Sequence, residues 1–175
     1  KAGDIYKKAY EGLYCVGCET FYTEEELNEN QECFEHPGRK LELVAEENYF
    51  FRFSKYQERL LKLYGDNPDF ILPSTRRTEI TKFVQRGLQD FSISRLKEKM
   101  AWGIGVPGDE EHVMYVWFDA LVNYISAIGW PNDQEKFEKW WPVVQIAGKD
   151  NLRQQAAMWQ AMLMSANLPP SKQII

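Results

Sequence analysis

Along the first half of the chain, apolar and polar positions alternate in short stretches separated by turn residues. Residues 5–15 (IYKKAYEGLYC) mix Tyr and Ile with Lys, a β-prone pattern that runs straight into a cysteine. Thr23 and Glu26 form a capping-box pair, so a short helix is expected there with Leu27 turned inward; an acidic loop is the alternative. Residues 41–53 predict a short strand and then an aromatic cluster, Tyr49, Phe50, Phe51 and Phe53. Ser54 and Gln57 are a second capping-box pair. The helix they open carries Tyr56, Leu60, Leu63 and Tyr64 on one face and is expected to end at Gly65. Asn67-Pro68-Asp69 turns the chain, and Ile80, Phe83 and Val84 mark a further helix that stops near Gly87.

After residue 100 the pattern changes. Residues 112–117 (HVMYVW) predict a strand, followed by a helix through Leu121, Tyr124, Ile125 and Ile128 that ends at Gly129. Residues 143–147 (VVQIA) are nearly continuous in apolar character, as in a strand covered on both faces. Gly148-Lys149-Asp150 then turns into a helix from about residue 151, with Ala156, Trp159, Leu163 and Ala166 along it and Asn167 and Pro169 closing it. Strand, tight loop and helix in that order are half of a parallel βαβ unit, so an α/β fold is expected.

Composition narrows the function classes. Of 175 residues 44% are hydrophobic and 14% aromatic, enough for one well-cored domain with a small insertion. A net charge of -5 argues against a general polyanion-binding surface, though not against a local basic groove. No stretch approaches the ~20 apolar residues of a membrane span, and no basic-then-apolar leader is present, so a soluble, cytoplasmic protein is expected. The chain opens on Lys1 and stops in Gln173-Ile174-Ile175, which reads as a strand cut at its start and suggests an internal fragment.

The three cysteines point to metal. Cys15-x2-Cys18 sets two thiolates on one turn, and Cys33-x2-His36 is a second knuckle of the same shape, 14 residues further on. Two knuckles supply the four ligands of tetrahedral zinc, and with no position left open for water the site is structural. Unrelated buried thiols beside a surface histidine are the alternative.

Several segments together resemble one family. They are Tyr10–Cys15 running into Cys18-Glu19, Glu46–Phe51, Asp90–Arg95, Trp102-Gly103-Ile104 with Val106-Pro107, Tyr115–Leu121 (YVWFDAL), and Gly148-Lys149-Asp150. In this order they resemble methionyl-tRNA synthetases, which are class I aminoacyl-tRNA synthetases. The resemblance implies part of a Rossmann-type catalytic domain with an inserted zinc-knuckle connective (α+β) domain. The insertion would be residues 1–100, with the knuckle at about 12–45, and residues 101–175 would return into the second half of the catalytic domain. It further implies methionine, ATP with Mg and the cognate tRNA as substrates of a parent enzyme. The family's His-x-Gly-His and Lys-Met-Ser-Lys-Ser signatures are absent, so the fragment alone is expected to be inactive.

By the same resemblance Phe91, Trp117, Ala120, Leu121, Tyr124, Gln155 and Trp159 line or back a methionine side-chain pocket; ordinary core packing is the alternative for each. A flexible, uncharged thioether is selected by aromatic walls and close apolar fit. Arg95, Gly148, Lys149 and Asp150 would lie in the adenylate and ATP region, with Asp150 facing the adenylate; for Arg95 a surface ion pair is the alternative. The family usually has an aromatic or proline and then a histidine where this chain has Gln154 and Gln155, and a proline where it has Gln160. Glutamine can hydrogen-bond but can neither stack nor titrate. Two other classes remain in view, a non-catalytic zinc ribbon and a sister synthetase for a branched aliphatic amino acid. The insertion is too short for the editing pocket of the latter.

Overall fold

The β-prone opening stretch forms a single strand, β1 (Ile5–Cys15), in a computed structural model that describes residues 2–17, 20–22, 27–100 and 102–175. It turns at Val16-Gly17 and pairs antiparallel with β2 (Thr20–Tyr22), Leu13 opposite Tyr22 and Cys15 opposite Thr20. The helix expected from Thr23 lies outside the described residues; Leu27 beyond it is buried. β3 (Glu42–Phe51) and the two-residue β4 (Phe91–Ser92) complete a sheet of order β2-β1-β3-β4. By compactness the chain divides into a smaller unit, Lys7–Tyr49, and a larger one made of Lys1–Tyr6 and Phe50–Ile175. This division falls at other residues than the insertion boundary expected near residue 100. Residues 50–100 pack with the carboxyl-terminal part, as where Tyr64 donates from its hydroxyl to the Ala156 carbonyl at 2.7 Å.

In the larger unit a 3-10 turn (Phe53–Tyr56) leads into α1 (Gln57–Asp66), which buries Leu60 and Tyr64, followed by α2 (Ser74–Gln85), which buries Ile80 and Val84. Gly87, at φ +106, ends that path as the sequence predicts. The capping box expected at Ser54 and Gln57 does not form. Ser54 donates from both its backbone N–H and its hydroxyl to Asp90, and Gln57 Oε1 accepts from the Leu88 N–H, so both side chains are committed to distant partners. Phe51 is the hub of the aromatic cluster, with ring centroids 5.7–5.8 Å from Tyr56, Phe91 and Phe118.

β5 (Ser94–Leu96), β6 (Gly105–Val106) and β7 (Asp109–Met114) make a second antiparallel sheet of order β5-β7-β6. The strand expected over 112–117 stops at Met114, because Tyr115 already caps α3 (Val116–Ala120), so Trp117 stands on a helix. A helical path continues through α4 (Asn123–Ser126) to Gly129, at φ +110. After α5 (Gln134–Trp140) come β8 (Val144–Gln145), a 3-10 turn (Lys149–Asn151), a π-helical turn (Arg153–Met158), α6 (Trp159–Ser165) and β9 (Gln173–Ile174). β8 and β9 are parallel, and Ile71 bridges Ile174 on the other side in the same sense, so the βαβ expectation is met. The expectation of a strand covered on both faces is corrected. Val144 and Ile146 are exposed, at 44% and 83%, while the polar Gln145 between them is buried. Alternation along a strand puts Gln145 on the face opposite its apolar neighbours.

Asp4 ties the start of this unit to its end. Its buried carboxylate accepts from Tyr56 Oη at 2.5 Å, Lys55 Nζ at 2.6 Å and Ser165 Oγ at 2.8 Å. Burial works to raise its pKa, but these hydrogen bonds outweigh burial and hold the carboxyl at about 2. A depressed carboxylate contributes stability above its unfolded value, near 3.8, and that contribution disappears as pH falls through about 2. Asp4→Asn is therefore expected to melt at a lower temperature than wild type at pH 6, with the gap narrowing steadily between pH 4 and pH 2. Melting curves followed by circular dichroism check this; a constant gap over that range counts against the assignment.

Candidate functional site

In the smaller unit the hairpin β1–β2 delivers Cys15 at its tip, and a loop folds Cys33 and His36 onto it. The His36 N–H donates to the Cys33 carbonyl at 3.2 Å, a turn that turns both side chains the same way. His36 Nδ1 lies 3.8 Å from Cys15 Sγ and 4.0 Å from Cys33 Sγ, and the three candidate ligand atoms all fall within 4.8 Å of one another. A tetrahedral ion with metal–sulfur bonds of about 2.3 Å needs ligand atoms roughly 3.6–3.8 Å apart, so the donor set fits a soft or borderline metal ion. Cys18, the fourth expected ligand, lies outside the described residues.

Two residues that motif spacing does not single out belong to this cluster. A Cβ on Gly17 would sit 2.7 Å from the His36 ring, so only glycine lets the imidazole reach the first knuckle. Cys33 Sγ lies 3.4 Å from Tyr22 Oη, a contact through which the tyrosine hydroxyl would donate to a metal-bound thiolate and orient it.

The larger unit gathers the residues expected at the side-chain pocket along α3, α4 and the π-turn. Leu121 is buried, and Trp117, Ala120 and Tyr124 are half-buried, all on one stripe of the helical path. The Tyr124 and Trp159 ring centroids are 6.1 Å apart, and Gln155 Nε2 donates to Tyr124 Oη at 2.7 Å. Phe91 is in edge contact with Phe51 and Phe53. The neighbouring stripe, Phe118, Val122 and Ile125, turns instead into a cavity of about 400 Å³ shared with Trp130, Trp159 and Met162. The i, i+4, i+7 spacing of Phe118, Val122 and Ile125 is legible in the sequence, but nothing in it says which of two adjacent stripes meets which neighbour.

Gly148, Lys149 and Asp150 are exposed, at the carboxyl end of β8. A recess of about 320 Å³ opens there, lined by Leu72, Pro73, Arg76, Gly148, Lys149, Leu152 and Ile174 among others, which is where open α/β sheets bind ligands. Gly148 has an ordinary φ of -60, and a Cβ there would meet nothing within 4 Å. Arg95 is not at the surface: it is buried, with its guanidinium 4.8 Å over the Tyr115 ring and Nη1 donating to Ser92 Oγ and the Ser94 carbonyl.

Parallel strands joined through a helix, with a recess at their carboxyl edge, are the frame of open α/β folds that bind nucleotides. A family model described as "tRNA synthetases class I (M)" matches residues 1–175, and the chain belongs to that family. The chain is 50% identical to the methionine–tRNA ligase of Thermosynechococcus vestitus, covering 98% of this chain and 33% of that protein, and 49% identical to that of a Nostoc species, covering 97% and 32%. A solved structure of Mycobacterium tuberculosis methionyl-tRNA synthetase in complex with methionyl-adenylate superposes with a TM-score of 0.88 at 44% identity, over 99% of this chain and 34% of that one. The fold is thus that of a class I synthetase catalytic region, with mixed helices and sheets, and the chain spans about a third of the length of the curated relatives it matches. Among the described residues, no helix is long and apolar enough to cross a membrane.

The Gly17–His36 contact generates a test of the cluster. Gly17→Ala is expected to weaken metal retention by at least about tenfold, and Tyr22→Phe by about tenfold, the usual cost of disturbing a ligand's orientation. Competition against a colorimetric chelator measures both, and an alanine at residue 17 with wild-type retention would show that His36 is not a ligand.

Proposed function

We propose that this chain is part of a methionine–tRNA ligase, which activates methionine with ATP and Mg to methionyl-adenylate and then esterifies the 3′ end of its tRNA in the cytoplasm. The observation that carries this reading is the end-to-end likeness to a synthetase solved with methionyl-adenylate. In this reading residues 101–175 belong to the Rossmann-type catalytic domain, and residues 1–100 are its connective insertion. Cys15, Cys18, Cys33 and His36 hold one zinc ion, which stabilises the knuckle and takes no part in chemistry because four protein ligands leave no open position.

Trp117, Ala120, Leu121, Tyr124, Gln155 and Trp159 form the methionine side-chain pocket, with Phe91 behind it. The grouping of Tyr124, Gln155 and Trp159 supports this, since it brings an aromatic wall and a neutral amide together. Gly148, Lys149 and Asp150 face the adenylate. Among the described residues nothing lies within 4 Å of a Cβ built at Gly148, which leaves room for the close approach of a ligand phosphate. Arg95, with its guanidinium over the Tyr115 ring, belongs with Gly148, Lys149 and Asp150 to the adenylate and ATP region.

In the full-length enzyme, Trp117→Ala is expected to raise the KM for methionine by tens- to hundreds-fold, corresponding to loss of about 2–4 kcal/mol of apolar contact, while the KM for ATP changes little. Gln155→His is expected to alter methionine KM with little change in melting temperature. Methionine-dependent ATP–pyrophosphate exchange measures both, and kinetics unchanged in both variants remove the pocket assignment.

A further inference from the structure

Four buried polar side chains run in line beneath the methionine pocket, and none belongs to the metal cluster or the adenylate loop. Gln145 on β8, Ser171 ahead of β9, and Gln155 and Gln160 on the π-turn and α6 are each no more than 4% exposed. Gln160 Nε2 donates to the Gln155 carbonyl at 2.9 Å and to Ser171 Oγ at 3.0 Å, while its Oε1 accepts from the Ser171 N–H at 3.0 Å. A backbone N–H can only donate and a carbonyl can only accept, so the Gln160 amide has one orientation. Ser171 Oγ, accepting from Gln160, is left to donate to Gln145 Oε1, at 2.5 Å.

The line ends at the pocket. Gln155, held through its carbonyl by Gln160, donates from Nε2 to Tyr124 Oη at 2.7 Å. The Tyr124 hydroxyl accepts there, so its own proton is free to point elsewhere. Among the described residues, Gln155 Oε1 and Trp159 Nε1 near this tyrosine, and Gln145 Nε2 at the other end of the line, are buried without a hydrogen-bond partner. Buried amides that merely filled a core would cost more than the apolar residues they displace. A line of hydrogen bonds that gives the Gln160 amide one orientation and ends on the Tyr124 hydroxyl is better suited to fixing the geometry of that aromatic cluster.

We propose that Gln160 and Ser171 are positioning residues for amino-acid recognition: through Gln155 they fix the Tyr124 hydroxyl. This rests on the methionine-pocket reading above.

The test uses the full-length enzyme in ATP–pyrophosphate exchange with Ser171→Ala, Ser171→Thr and Gln160→Met, beside Trp117→Ala as a pocket control. Ser171→Ala and Gln160→Met are expected to raise methionine KM by about tenfold, the scale of one buried hydrogen bond, with ATP KM within about twofold of wild type. Ser171→Thr, which keeps the hydroxyl and the N–H, is expected to restore methionine KM to within about twofold of wild type. Should Gln160→Met fail to fold, the serine pair carries the test alone. Wild-type methionine KM in Ser171→Ala, with a raised KM in Trp117→Ala, overturns the positioning role and leaves the pocket standing. Parallel rises in both KM values with a lowered melting temperature also overturn it, as a purely structural effect. Unchanged methionine KM in Trp117→Ala and Ser171→Ala alike overturns the pocket reading and this inference together.

Discussion

A helix buried on nearly every side is stable only where neighbouring elements cover it, and the segment from Leu152 to Met164 is buried at every position but Arg153, Gln154 and Met158. Ala156, Ala157, Trp159, Ala161 and Leu163 are at most 1% exposed. The rest of the larger unit is arranged as its cover. Tyr64 of α1 reaches its Ala156 carbonyl, Trp141 meets Trp159 edge-on at 6.3 Å, and Arg153 lies 4.6 Å over the Phe83 ring of α2. At its far end Ser165 donates to Asp4, which binds the opening strand to the last helix. The π-turn at its start shifts the register of the side chains that follow, a deviation often found at functional sites.

Much of this was legible because it rests on periodicity and punctuation. The long strand into Cys15, the buried face of α2, and the stops at Gly87, Gly129 and Asn167 all sit where the pattern places them. What could not be read depends on partners far away in the chain. Ser54 and Gln57 have capping-box spacing, yet Asp90 and the Leu88 N–H claim them, and no local window contains that competition. Val143–Ala147 shows the same limit in another form. Its composition indicates a buried strand, but which face is buried follows from Ser171, which gives Gln145 a partner inside. At the metal cluster, spacing pointed to candidate ligands while Gly17 and Tyr22 went unseen, because they meet a ring and a sulfur rather than holding positions in a motif.

The glutamines at 155 and 160 show how one region can depart from its family's usual residues and remain consistent. A proline at 160 has no side-chain amide, and a histidine at 155 would bring its own ring nitrogens to Tyr124. In this chain the Gln160 amide makes three hydrogen bonds and the Gln155 amide reaches Tyr124 directly. Both changes lie on the same line of contacts, so neither side chain can be judged without the other. Residues sharing a hydrogen-bond network are those whose effects do not add.

The smaller unit is held by different means. Its described buried residues are Cys15, Leu27, Cys33, Glu46 and Asn48, while Val16, Phe34 and Leu43 are all more than half exposed. Among the described buried residues of this unit only Leu27 is a plain hydrocarbon side chain. Hydrogen bonds help locally, as where Asn28 Oδ1 accepts from the Asn30 and Glu32 N–H groups, but such bonds contribute roughly 1 kcal/mol each. A structural zinc ion contributes on the order of 10 kcal/mol to a site it assembles. Among the described residues, the two buried cysteines stand where the larger unit has hydrocarbon side chains, and a metal held by them would supply the stabilisation that a core supplies there.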